Sequence, residues 1–139
     1  MRTPRLCQTL LGITALALFP WLPGCGGPVR KYETELRIYG FAYIAYNDSM
    51  RKGPSKVEEL GPYMENRQDI LDLVRKGDIV LIMGAKIPAD FPEGTTNTLL
   101  AYLKEVPERG GSVLLGDGSI RVVTKDEFAK LPRPRKSGS

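Results

Sequence analysis

Ser112-Val113-Leu114-Leu115-Gly116-Asp117-Gly118-Ser119-Ile120-Arg121-Val122-Val123 predicts a β-hairpin, and the hairpin decides the fold class. Two apolar runs flank an Asp-Gly pair, and a two-residue Asp-Gly loop suits a type I′ turn because both central residues need positive φ. Pairing outward from that loop sets Leu115 opposite Ile120 and Val113 opposite Val122, with Leu114 and Arg121 on the other face. The turn's backbone demand accounts for Asp117 and Gly118 without any ligand, so both are read as structural.

Working outward, Thr124 and Glu127 make a capping box for a terminal helical turn that runs through Leu131 and stops at Pro132 and Pro134. Upstream, Asp78 to Met83 and Thr98 to Leu103 are apolar runs of strand length, separated by a stretch broken by Pro88, Pro92 and Gly94. Before them the period changes. Leu36, Tyr39, Gly40, Tyr43 and Tyr46 recur at three-and-four spacing, which predicts a helix from about Tyr32 to Met50 whose tyrosines pack on the sheet. Gly53-Pro54 ends it, and Ser55 with Glu58 forms a capping box for a short helix closing at Leu60-Gly61-Pro62. A third helix spans Asn66 or Arg67 to Lys76, with Ile70, Leu73 and Val74 inward and Gly77 as its stop. Helices first and then about four antiparallel strands is an α+β order, without the alternation of a dinucleotide-binding fold.

The chain's 139 residues include 20 Lys and Arg, 16 Asp and Glu, 2 Cys and no His. Without histidine there is no Ser-His-Asp or Cys-His catalytic set and no His-containing zinc site. The net charge of +4 comes from the ends: between Cys25 and Ala129 acids outnumber bases, so the body is not a nucleic-acid-binding surface. Glu58-Glu59 and Asp126-Glu127 sit in first helical turns, where they serve the helix dipole rather than catalysis. No catalytic residue, metal ligand or cofactor is assigned.

Arg2 and Arg5, the apolar run Leu10 to Phe19 and the exit Pro20 to Gly24 have the three zones of a secretory signal, and Leu6 to Leu22 is short for a permanent span. The exit, Leu22-Pro23-Gly24-Cys25-Gly26-Gly27, resembles the lipobox of bacterial lipoproteins. That resemblance implies cleavage after Gly24 and acylation of Cys25, and Gly26 rather than Asp after the Cys leans toward delivery to the outer membrane if the cell has one. Cysteine usage agrees, because Cys7 would be removed and Cys25 would remain as a lone thiol outside the cytoplasm. The organisation expected is a signal at 1–24, a tether at 25–31, a globular unit at 32–131 and a basic disordered tail at 132–139. Arg133, Arg135 and Lys136 of that tail either attract anionic lipid or envelope polymer or merely solubilise the end.

The stretch Leu36 to Asp48, with Gly53-Pro54 and Leu60-Gly61-Pro62-Tyr63, resembles the region after the membrane helix in pseudopilin-like proteins of the type II secretion class. Gly110 to Arg121 is similar to the C-terminal Gly-Gly, Asp-Gly-Ser hairpin of the same group, a domain of unknown function. Pro107 stands where that group carries its signature His, so no role of that His carries over. Related heads hold calcium in a C-terminal loop; here Asp90 and Asp117 are too few and too far apart in sequence for such a site. The resemblance implies a pseudopilin-like head on a lipid anchor. The function expected is therefore a non-catalytic envelope binding or scaffolding module, with a secretion or pilus subunit and a small carboxylate-dependent hydrolase as alternatives.

Overall fold

The computed structural model describes residues 28–135. Leu22, Pro23, Gly24, Cys25 and Lys136 lie outside the described residues. The fold is α+β: helix α1 (Glu33–Met50), a 3-10 helix (Val57–Met64), α2 (Gln68–Arg75), then β1 (Ile79–Leu81), β2 (Leu99–Leu103), a short α3 (Val106–Arg109), β3 (Gly111–Leu115), β4 (Ile120–Val123) and α4 (Lys125–Lys130). The four strands form an antiparallel meander in the order β1-β2-β3-β4.

The sheet is covered on both faces, and β3 is buried at all five positions. On one face Leu114 lies under α1 at Gly40, and the Ser112 hydroxyl donates to Glu33 of the first turn of α1 at 2.6 Å. On the other, Tyr102 of β2 meets the Phe128 ring of α4 edge-on, with centroids 4.9 Å apart, and Val106 of α3 packs against Gly111. A strand buried on both faces reads as a continuous apolar run rather than an alternation, as Val113-Leu114-Leu115 does.

The hairpin register differs from the expected one by a residue. Leu114 pairs with Ile120, Val113 with Arg121 and Ser112 with Val122. Gly118 N–H donates to Leu115 O and Leu115 N–H to Ser119 O, both at 2.9 Å, so the loop has three residues, Gly116 to Gly118. Only Gly118 has positive φ (83°); Asp117 does not, and the turn is of type I with a glycine bulge, not type I′. Gly116 lies in this loop against the Phe91 ring, where a Cβ would come within 2.3 Å of it, so the position admits only glycine. Gly116 and Asp117 N–H then donate to Thr98 O and Thr95 O. Asp117 holds the bulge through Ser119 N–H and Oγ, at 3.0 and 2.6 Å.

Tyr39, Tyr43 and Tyr46 are buried, but their hydroxyls point to the segment between α1 and β2 and not to the sheet. Tyr39 donates to Ile70 O, Tyr43 to Ala85 O at 3.0 Å, and Tyr46 to Glu59 at 2.7 Å. Glu59 also accepts from Ser55 N–H at 2.9 Å, while Glu58 pairs with Arg75 at 3.2 Å. The expected Ser55 to Glu58 capping box is therefore replaced, and the helix there is 3-10, running past Pro62 to Met64. By contrast the Thr124 and Glu127 box is present in both halves.

Burial pushes the Tyr39 and Tyr43 hydroxyls well above the ordinary tyrosine range. A raised pKa in the folded state means that above about pH 10 the unfolded chain releases protons that the folded chain keeps. Stability should thus hold up to about pH 10 and fall beyond it. Melting temperature followed against pH, with tyrosinate absorbance read alongside, checks this: both residues should ionise only on unfolding.

Candidate functional site

Strand β4 is an edge, and its ladder leaves one row of backbone groups open. Leu115 with Ser119 is a hydrogen-bonded pair, so Val113 with Arg121 and Gly111 with Val123 are the next such pairs. Ile120 and Val122 accordingly turn their N–H and C=O away from β3. Val122 is 39% exposed, unusual for a β-branched residue in a sheet so well covered.

Beside this edge runs a groove of about 260 Å³, lined by Arg121, Val122, Val123, Glu127, Lys130 and Leu131. Its floor is apolar and its rim charged. Glu127 is already committed: its carboxylate accepts from Thr124 N–H at 2.7 Å, and that bond, with the Thr124 hydroxyl's, holds its pKa below the ordinary range. The Arg121 guanidinium donates to Thr96 O, a neutral acceptor, and Lys130 has no ion-pair partner among the described residues. With two cations, Arg121 and Lys130, against the one carboxylate of Glu127, the groove lining is net positive.

The residues singled out from sequence fall elsewhere. Asp117 and Gly118 form the turn at the end of β3. Arg133 and Arg135, expected in a loose tail, are docked: Pro132 O accepts from Leu99 N–H at 2.9 Å, Arg135 N–H donates to Asp90 O at 2.8 Å, and the Arg133 guanidinium lies over the Phe128 and Tyr102 rings. β1 pairs with β2 only as far as Ala101, and Leu99 N–H takes Pro132 O as its partner beyond that point. Sequence reasoning missed the groove, since its lining comes from two elements and the hairpin register decides which face of β4 is open.

Structural partners hold four carboxylates below their ordinary range, toward the charged form: Glu33 by Ser112, Glu59 by Tyr46, Asp78 by Lys104 and Glu105 by Lys31. A general acid needs the opposite shift. Among the described residues no group of three His, Cys, Asp or Glu is placed to hold a metal ion, and no helix is long and apolar enough to cross a membrane. Compared with protein-family models, with curated proteins and with solved structures, the chain matches none.

Proposed function

We propose that this chain is a non-catalytic envelope lipoprotein, acylated at Cys25, whose pseudopilin-like head binds an extended acidic segment of another envelope protein along β4. The observation that carries the binding role is the open row of N–H and C=O groups at Ile120 and Val122 beside a groove with net positive charge. Strand addition supplies backbone hydrogen bonds for affinity, and a neighbouring groove supplies side-chain selection. The entry of the chain favours a lipid anchor over a pilin-type assembly helix. Val29 is extended and bridged to Gly111, and Tyr32 is left-handed (φ 60°), so α1 starts afresh at Glu33 instead of continuing an upstream helix.

Val122→Pro removes an outward-facing donor while leaving the β3–β4 ladder bonds in place, and Lys130→Glu reverses the groove's net charge. In membranes crosslinked before solubilisation, each variant should lower recovery of the wild-type partner about tenfold, a loss of roughly 1.4 kcal/mol. The crosslinked peptide of that partner should be acidic and extended, and the melting curves of both variants should match wild type. Recovery unchanged by Val122→Pro overturns strand addition, and an intact mass that retains residues 1–24 overturns the anchor.

A further inference from the structure

We infer that the end of the sheet where Val29 enters is the face the head turns to the bilayer, held there by Lys76, Arg109 and Lys125 against anionic phospholipid. This rests on the lipid anchor proposed above. Val29 is clamped: its N–H donates to Gly110 O at 3.1 Å and its C=O accepts from Ser112 N–H at 2.7 Å. Cys25 precedes it by four residues, and a fully extended chain spans at most about 3.6 Å per residue, so an acylated Cys25 keeps this corner within roughly 14 Å of the lipid headgroups.

Four junctions meet at that corner: the start of α1, the β2 to α3 link, the α3 to β3 turn and the β4 to α4 link. A Cβ on Gly110 would lie 2.5 Å from Val123 O and 3.1 Å from Lys125 N, which sets Arg109 beside Lys125. Three recessed carboxylates here are each taken by a more exposed cation. Glu33, Glu105 and Asp78 are 29%, 25% and 23% exposed, against 66%, 43% and 53% for their partners Arg30, Lys31 and Lys104. The Asp78 carboxyl is held below its ordinary range first by its hydrogen bond from Lys104, with Lys31 and Lys76 contributing to the same field. Lys76, Arg109 and Lys125 are exposed and have no ion-pair partner among the described residues, while Glu108 and Asp126 are the exposed acids alongside them.

The opposite end lies farther from the point where the anchor joins the head. Leu99 pairs with Leu115 four residues along β3 from Gly111, about 13 Å away at strand rise. At that remote end Arg135 N–H bonds to Asp90 O, and the sequence leaves the tail's cations open between attraction to anionic lipid or envelope polymer and mere solubility.

The chain's one tryptophan, Trp21, lies in the predicted signal, so an added tryptophan becomes the sole indole of the mature protein. The full acylated chain carrying Glu108→Trp at the rim, or Ser49→Trp at the far end of α1, is incorporated into phosphatidylcholine vesicles with brominated acyl chains, with and without phosphatidylglycerol. Quenching should be greater for Glu108→Trp, should rise with phosphatidylglycerol and should fall at high salt. Each cation beside such a surface shifts the docked population roughly fivefold, so Arg109→Glu with Lys125→Glu should abolish the rise. Equal quenching at both positions, or quenching indifferent to phosphatidylglycerol and to the double reversal, overturns the inference. An intact mass without acyl groups on Cys25 overturns the anchor as well; acylation with equal quenching overturns only the orientation.

Discussion

Leu114→Ala should destabilise the folded state by about 2–5 kcal/mol in urea titration, the range for emptying a filled leucine site. Leu114 is wholly buried in β3, and its Cδ1 would stand 2.9 Å from a Cβ placed on Gly40 of α1. Gly40→Ala alone should therefore cost about 1–3 kcal/mol through overpacking, partly offset by roughly 1 kcal/mol of helix propensity. In the double variant the Leu114 clash is gone and the new methyl enters the vacated space. The two losses should then sum to less than their separate values, with a coupling of about 0.5 kcal/mol or more. Strict additivity would mean that the cost of Gly40→Ala comes from the Gly118 backbone, whose Cα would lie 3.1 Å from the new methyl, and not from Leu114.

Tyr43→Phe should cost about 2–4 kcal/mol although it removes one oxygen. That hydroxyl donates to Ala85 O at 3.0 Å and accepts from Ala85 N–H at 3.1 Å, satisfying both backbone groups of a residue that is itself buried. Each group left without a partner costs about 1–3 kcal/mol. Tyr39→Phe removes a donor from Ile70 O only, a carbonyl within α2, and should cost less, about 1 kcal/mol. Chemical denaturation of the two variants side by side checks the order; equal losses would contradict the double role of Tyr43.

Local rules predicted those elements whose partners are local. The Thr124 and Glu127 box closes within four residues, so its pattern and its geometry coincide. The Ser55 and Glu58 pattern is as good on paper, yet Glu59 is drawn to Tyr46, thirteen residues away, and Glu58 to Arg75. The hairpin shows the same limit: its strands and its turn residues are legible, but Gly116 joins the loop against Phe91 and Thr98, which no window around Asp117 contains. The four-residue α3, starting with Val106-Pro107, is too short to leave a periodic signal. The groove along β4 inherits that uncertainty, because a shift of one residue exchanges which amides face β3 and which face outward.

The first and last described segments both complete the middle of the sheet. Val29 bonds to Gly110 and Ser112, Glu33 to Ser112, and Pro132 to Leu99. Contacts that join residues about eighty positions apart cannot form while the chain is still emerging, and such non-local closure slows folding. A polypeptide threaded unfolded across a membrane, as the proposed anchor requires, gains from that delay. Under that proposal the sheet would have no finished core until β3 and the C-terminal segment had followed the N-terminus through, and the order of its contacts would keep the chain unfolded until translocation was nearly over.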